Sequence, residues 1–380
     1  MYKTRPHIAF YIYQLLDGGV ERILINLMHS FVRRGLKVDL VLNRTGGPFM
    51  SQVPPEVNIV ELSALLPFRD GIPKLAHYLR KERPLVMISS IHLNTEVALL
   101  AKVFALSSTK VFVREASHLS SEAKREIDFT GSSQKIRWAP FLAKLLYPWA
   151  NGIIAISKGV AEDLAQITGL SEKRIQVIYN PTITPNLNKK ALEPIEHPWF
   201  KAEEPPVIIG VGRLERQKDF PTLIKAFALV RQRYSCRLVI LGQGRDRQNL
   251  NKLIEELDLK TDVAMLGFVE NPYPYIAKAT GFVLSSIWEG FGNVIVEAMA
   301  LGTPVVSTNC PSGPAEILDN GKYGWLVPMG DDKAMAEAIL SILSNESKPV
   351  DADWLKQFTL ETVSEKYLDT FGINFDNDRL

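Results

Sequence analysis

Two glutamates eight residues apart, Glu289 and Glu297, stand in the string Ser285-Ser286-Ile287-Trp288-Glu289-Gly290-Phe291-Gly292-Asn293-Val294-Ile295-Val296-Glu297-Ala298-Met299-Ala300. This pattern reads as a strand end, a Gly-rich turn and a helix beginning near Asn293. Glu289 then lies on the turn, and Glu297 about one turn into the helix. Carboxylates so placed can accept hydrogen bonds from vicinal hydroxyls of a sugar or a ribose. The amides of Gly292, Asn293 and Val294 would form a helix N-terminus, whose free N–H groups and positive dipole end favour an anion. An ordinary first-turn acid and a solvated helix residue are the plainer alternative. Against it, the small apolar Ala298-Met299-Ala300 implies a packed helix with little room for an idle carboxylate.

A second segment runs Ile208-Ile209-Gly210-Val211-Gly212-Arg213-Leu214-Glu215-Arg216-Gln217-Lys218-Asp219. A strand enters a Gly-x-Gly turn, where glycines let the backbone approach a phosphate, and a helix follows. A dinucleotide fingerprint needs a third glycine at position 215, where Glu215 stands. Arg213 and Lys218 instead put two cations at the mouth of the strand. They suit a diphosphate held by side-chain charge, with arginine able to bind it bidentately. A surface Arg and Lys flanking a tight turn is the competing account.

The elements that must position these residues are those of parallel α/β architecture, short apolar strands alternating with longer amphipathic stretches. In the first half strands are predicted over 7–13, 37–42, 85–89, 110–114, 152–156 and 175–178, with helices over 20–34, 95–106 and 159–168 between them. From Asn180-Pro181 to Pro206 six prolines and little periodicity predict a linker. The pattern restarts with strands over 207–211, 237–241, 264–266, 281–284 and 304–307 and helices over 220–233 and 293–301. Two such units place a ligand crevice at the carboxyl edges of two sheets.

Size and composition agree. A chain of 380 residues exceeds one typical core and suggests two domains. With 46% hydrophobic and 23% charged residues it reads as an ordinary soluble globular protein. Its two cysteines, Cys236 and Cys310, have no pairing or metal-ligand spacing, which points to a reducing compartment. The apolar run after Lys3 and Arg5 contains Tyr11, Tyr13 and Gln14 and no small-residue cleavage site, so it reads as a first strand and not a signal peptide. No stretch reaches the roughly 20 apolar residues that cross a bilayer. Residues 1–185 hold 23 Lys+Arg against 15 Asp+Glu, and the remainder 21 against 27. A basic first half favours an anionic partner such as a membrane surface, though scattered solvated charges would give the same balance.

The string from Trp288 through Gly302-Thr303-Pro304-Val305-Val306-Ser307, with the Gly-x-Gly-Arg…Lys segment upstream, resembles glycosyltransferase family 4, whose hallmark Glu-x7-Glu is matched by Glu289 and Glu297. Asp17-Gly18-Gly19-Val20-Glu21-Arg22 is similar to that family's N-terminal Gly-Gly loop. Ala155-Ile156-Ser157-Lys158-Gly159-Val160 resembles its last N-domain strand and helix, and Ile178-Tyr179-Asn180-Pro181 its interdomain junction. The variant Cys310-Pro311-Ser312-Gly313-Pro314-Ala315-Glu316 is similar to the branch that builds bacterial surface polysaccharides, lipopolysaccharide among them.

The resemblance implies a GT-B fold, two Rossmann-like domains facing each other across a deep cleft. The domains would be 1–185 on the acceptor side, a linker over 186–205, a nucleotide-sugar-binding domain over 206–350, and a tail over 351–380 packing back on the first domain. It implies a retaining, metal-independent transfer from a UDP- or GDP-linked sugar to a saccharide or polyprenyl-linked saccharide acceptor, with no resident cofactor and no nucleic-acid partner. By position, Arg213 and Lys218 would bind the donor diphosphate and stabilise the leaving group. Glu289 would hold the donor sugar's hydroxyls, Glu297 the ribose, and the Gly18-Gly19 loop would meet the pyrophosphate. The family also places a polar residue after the strand ending near Arg114. In Arg114-Glu115-Ala116-Ser117-His118 the histidine falls late, so His118 is expected to take that role, with Glu115 as the alternative.

Cations that neutralise the departing diphosphate would make a metal unnecessary. Asp351-Ala352-Asp353 and Asp376-Asn377-Asp378 look like metal-binding acid pairs but lie in the tail, and are expected to be solvated acids or a helix cap. The stretch from Lys135 to Trp149 mixes cations with aromatics. It would touch an anionic inner-leaflet membrane from the cytoplasmic side, or else pack as a helix on the first sheet. A sugar-nucleotide epimerase, or a non-catalytic nucleotide-sugar-binding protein, would share much of this pattern. Acceptor-independent epimerisation would mark the first, and nucleotide binding without turnover the second.

Overall fold

The computed structural model describes residues 5–16, 18–123 and 138–373, which fall into two compact units. Unit one holds residues up to Pro181 together with those from Phe358 onward, and unit two runs from Thr182 to Gln357. Asp17, the segment 124–137 and Asp376-Asn377-Asp378 lie outside the described residues.

In unit one, strands β1 (His7–Ile12), β2 (Lys37–Leu42), β3 (Asn58–Glu61), β4 (Val86–Ser90), β5 (Lys110–Glu115), β6 (Gly152–Ala155) and β7 (Ile175–Val177) form one parallel sheet in the order β3-β2-β1-β4-β5-β6-β7. Helices α1 (Gly19–Arg33), α2 (Ile72–Glu82), α3 (Asn94–Ala105), α4 (Ala139–Leu146) and α5 (Lys158–Thr168) lie between strands. Parallel strands covered on both faces read as continuous apolar runs, which is why β1 stands out in the sequence. β3 was not anticipated. It is an edge strand whose Asn58, Ile59 and Glu61 are exposed, so it has no apolar run to read.

Unit two comprises α6 (Leu187–Ala191), β8 (Val207–Val211), α7 (Phe220–Arg231), β9 (Arg237–Leu241), α8 (Arg247–Glu256), β10 (Val263–Gly267), α9 (Tyr273–Lys278), β11 (Gly281–Leu284), α10 (Asn293–Ala300), β12 (Val305–Thr308), α11 (Pro314–Ile317), β13 (Trp325–Val327), α12 (Asp332–Leu343) and α13 (Ala352–Lys356). Its six strands form a parallel sheet in the order β10-β9-β8-β11-β12-β13. β13, three residues at the other edge, was likewise unanticipated. Residues 186–205, read as a linker, carry α6 and are tied to this unit: Asn271 Nδ2 donates to the Lys190 carbonyl at 2.9 Å, and Phe200 stacks edge-on to Tyr275 at 5.3 Å.

The last helix, α14 (Leu360–Phe371), belongs to unit one. Thr359 caps its start and left-handed Gly372 ends it, as helix termini favour. Val363, Tyr367, Leu368 and Phe371 share one face and join the core around Phe10, Phe31 and Phe112. Phe371 meets the Phe112 ring edge-on at 4.7 Å. Arg114, fully buried at the end of β5, donates from Nε to the Tyr367 hydroxyl at 3.1 Å and from Nη2 to Asn180 Oδ1 at 2.6 Å. The second core gathers Leu223, Phe227, Leu238, Ile240, Met335 and Ile339.

Each sheet reverses its strand order once, between β1 and β4 and between β8 and β11. Loops leaving the carboxyl ends of the two strands at such a point diverge and open a crevice, where ligands of open α/β sheets bind. Among the described residues no helix is long and apolar enough to cross a membrane.

Candidate functional site

In unit two the loops after β8 and β11 carry the residues picked out from the sequence, and they are stitched together. Ser285 Oγ donates to the Lys218 carbonyl at 2.6 Å, the Ile287 amide to the Gln217 carbonyl at 2.8 Å, and Gln217 Nε2 to the Trp288 carbonyl at 2.9 Å. This brings Lys218 Nζ to 2.5 Å from Glu289 Oε1, with the side chains 16% and 9% exposed. Ser286 Oγ donates to the same oxygen at 2.6 Å. Gly212 leaves room for the Lys218 stem, three of whose carbons would lie 3.2 Å from a Cβ there. Arg213 is exposed, and its side chain has no hydrogen bond or ion pair among the described residues.

The β11 loop ends at Gly292, whose φ of 99° only glycine adopts freely, and α10 begins at Asn293 and Val294. Glu297, the fifth residue of α10, is buried with only 6% of its surface exposed, and the Tyr273 hydroxyl on α9 donates to its Oε1 at 3.3 Å. Behind the loop the Glu289 amide donates to the Pro311 carbonyl at 3.2 Å. Burial, reinforced by the Glu289 charge, pushes the Cys310 thiol up to about 12, so it is an inert neutral group at neutral pH. An ammonium, a guanidinium, a helix N-terminus and two carboxylates thus gather at one sheet edge. The cations suit a diphosphate, and the carboxylates suit hydroxyls.

In unit one, Gly18 is the N-cap of α1 and Gly19 its first residue, with the Glu21 carboxylate folded against the space a Gly18 side chain would need. His118, on the loop after β5, is half-buried. Its Nδ1 lies 3.4 Å from Asp163 Oδ2 on α5 and 3.1 Å from Ser121 Oγ. Glu115 is committed to its surroundings: Oε1 accepts from the Ala116 and Ser117 amides at 3.0 and 3.3 Å, and Oε2 from the Tyr147 hydroxyl at 2.9 Å. Burial pushes its carboxyl up to about 7, and that of Glu96 on α3, wholly buried, also to about 7. Glu115 therefore shapes the loop that bears His118, whereas His118 keeps an accessible edge.

Several partners escaped the sequence reading. Ser286, three residues before Glu289, had a local signal in its spacing. Gln217, Tyr273 and Asp163 had none, since each reaches its partner across many residues. Asp351 accepts from the Asp353 amide at 2.9 Å and caps α13. Of the basic-aromatic stretch, Lys135, Ile136 and Arg137 lie outside the described residues; Trp138 to Trp149 form the start of α4, α4 itself and the turn after it.

Known proteins resemble this chain in sequence and in fold. Residues 193–354 match the family described as Glycosyl transferases group 1, and residues 17–184 that described as Glycosyltransferase Family 4. The Campylobacter jejuni N-acetylgalactosamine-N,N'-diacetylbacillosaminyl-diphospho-undecaprenol 4-alpha-N-acetylgalactosaminyltransferase is 32% identical over 354 residues, 89% of this chain and 90% of its own. The lipopolysaccharide core biosynthesis glycosyltransferase LpsE of Rhizobium meliloti is 29% identical over 93% of this chain and 95% of its own. In fold, Anabaena HepE in complex with UDP-glucose superposes with a TM-score of 0.78 at 22% identity, covering 96% of this chain and 99% of that one. The lipopolysaccharide outer core galactosyltransferase WaaB superposes with 0.74 at 21% over the same shares. Two parallel α/β units with this strand order, and relatives along nearly the whole chain, lead to one conclusion: the chain belongs to glycosyltransferase family 4, has the GT-B fold, and is a glycosyltransferase.

Proposed function

We propose that this enzyme moves a hexosyl-type sugar from a nucleoside diphosphate sugar to a saccharide acceptor carried on a polyprenyl lipid, at the cytoplasmic face of the membrane, retaining the anomeric configuration and using no metal. The observation that carries this reading is the Lys218–Glu289 pair at the β8/β11 reversal, with Arg213 free beside it. Breaking the anomeric bond sends an electron pair onto the departing diphosphate. Lys218 and Arg213 meet that growing charge, the electrostatic contribution a protein supplies most readily. Glu289 orients the sugar hydroxyls and Glu297 holds the ribose. The amides of Gly292, Asn293 and Val294 donate to phosphate oxygens, and the Gly18-Gly19 loop meets the pyrophosphate. His118, held by Asp163, contacts the acceptor or sugar from the first unit.

A same-side substitution fits this set of residues, because both carboxylates near the donor are assigned to hydroxyls and neither to the anomeric carbon. UDP is the favoured nucleotide, since HepE binds UDP-glucose. A lipid-linked acceptor is favoured because the Campylobacter jejuni relative acts on an undecaprenol-linked saccharide. The test is a panel of UDP- and GDP-sugars offered with a polyprenyl-diphosphate saccharide, the product's anomeric configuration being read by NMR. An inverted product, or turnover abolished by EDTA and restored by manganese, would overturn the corresponding part. Epimerisation of the donor with no acceptor present would overturn the whole.

A further inference from the structure

Tyr147 opens the turn after α4 and is fully buried, so its hydroxyl needs a partner inside the protein. It donates to Glu115 Oε2 at 2.9 Å, and the Thr95 side chain on α3 hydrogen-bonds the same tyrosine. Burial, reinforced by the charges of Glu115 and Glu96, pushes the phenol well above its ordinary range. Tyr147 therefore keeps its proton at neutral pH and remains a donor to Glu115.

The other oxygen of Glu115 holds the loop. Oε1 accepts from the Ala116 amide at 3.0 Å, the Ser117 amide at 3.3 Å and the Ser117 hydroxyl at 3.2 Å. One buried carboxyl at the end of β5 is thus fixed on one side by Tyr147 and grips, on the other, the two residues before His118. Beyond His118 the chain is held again. The Ser120 amide donates to Asp163 Oδ2 at 3.1 Å, and the Ser121 and Glu122 amides donate to the His118 carbonyl, both at 3.1 Å. The main chain is therefore tied on both sides of an imidazole whose side chain is still 19% exposed. A pair that only satisfied two buried polar groups could be replaced by an apolar pair of the same shape. No apolar side chain could hold the main-chain donors of Ala116 and Ser117. A displacement of about 1 Å in a group that meets a reacting substrate costs about 10²-fold in rate, so the direction of His118 matters to transfer.

We infer that Tyr147 is a positioning residue for glycosyl transfer: acting through Glu115, it fixes the loop that aims His118 at the reacting sugars, which rests on the role proposed above for His118.

Steady-state kinetics and amide hydrogen exchange on the full chain test it. Tyr147→Phe keeps the ring and removes only the hydroxyl. It should lower kcat about fivefold with the donor KM unchanged, and speed exchange at the Ala116 and Ser117 amides by a like factor, as the loss of one hydrogen bond would. Glu115→Ala should lower kcat about 10²-fold. Glu115→Gln, which keeps an oxygen for the two amides, should restore most of that loss. In a His118→Ala background, Tyr147→Phe should change kcat by less than about twofold, because a residue that acts through the imidazole has nothing left to aim. A role in stability alone would give the same loss in both backgrounds. Unchanged exchange in Tyr147→Phe, or an equal loss of kcat with and without His118, would overturn the inference. Wild-type turnover in His118→Ala would sink the role proposed for His118, and the aiming of it by Tyr147 as well. Absence of transfer by the wild type would sink the proposed function, whereas exchange in Tyr147→Phe reads the hold on the loop without any turnover.

Discussion

Replacing Lys218 by alanine should damage stability and turnover by different routes, and the two can be separated. In the folded unit Lys218 Nζ sits 2.5 Å from Glu289 Oε1, with Ser286 Oγ on the same oxygen at 2.6 Å. Lys218→Ala leaves the buried carboxylate with the hydroxyl alone. Removing one partner of a buried pair costs about 3–5 kcal/mol. The surviving Ser286 bond and the residual exposure of Lys218 bring the expectation down to about 2–3 kcal/mol, roughly 5–10 °C in the Tm of a unit this size. Turnover should fall further, by about 10²–10³-fold, the loss typical of one preorganised contact to developing charge. Lys218→Ala combined with Glu289→Ala removes the orphaned carboxylate, so about 1–2 kcal/mol of stability should return. Turnover should not return, because the departing diphosphate still lacks its cation. Thermal unfolding and steady-state kinetics on the wild type, both single variants and the double variant complete the cycle. Recovery of turnover together with stability would reduce the pair to a structural brace. Wild-type turnover in Lys218→Ala alone would refute the leaving-group role.

Arg213→Lys should leave Tm unchanged, since Arg213 is exposed and unpaired among the described residues, yet lower kcat/KM at least about tenfold, because a point charge cannot reproduce the bidentate fork; equal kcat/KM would refute the contact. Glu297→Ala should raise the donor KM with a small change in kcat, and Tyr273→Phe, which removes the hydroxyl on Oε1, should move KM the same way by less. The Glu96 carboxyl, held up at about 7 from an ordinary 4.5, is protonated in the fold at pH values where the unfolded chain has released that proton. Stability of unit one should therefore be fully present near pH 4.5 and decline as pH rises through 7, by about 3 kcal/mol for this group. Unfolding followed from pH 5 to 8 checks it: Glu115 adds a decline of the same sign, so Glu96→Gln should lessen the decline by roughly half, and a wild type with no decline would refute it. Saturating EDTA should leave transfer intact under initial-rate conditions, and a metal-restorable loss would refute metal independence.

What the amino-acid order determined was local. β1, β8 and β9 carry uninterrupted runs of four or five residues without a charge, because strands covered on both faces leave little room for polar positions along their length. The turn and helix that carry Glu289 and Glu297 span twelve residues, so their types and spacing could be read without knowing what lies around them. The edge strands β3 and β13 could not be read this way, since exposure removes the apolar run from β3 and β13, though apolar, is only three residues long. The stretch 186–205 reads as a linker from its prolines, and contacts with Arg237, Asn271 and Tyr275, far off in sequence, make it part of unit two.

Tertiary structure decided which charges meet. Lys218 and Glu289 are 71 positions apart and join only because β8 and β11 lie side by side where the strand order reverses. His118 finds Asp163 on α5, and Arg114 reaches Tyr367 across 253 residues by way of a helix that returns to the first unit. Periodicity reports whether a residue faces a core, because burial repeats with the helix or strand. It carries no record of which strand becomes a neighbour, since that is set by the packing of every element at once. The kinds of residue in the site were therefore written in the chain, and their pairing was settled by the order of the strands.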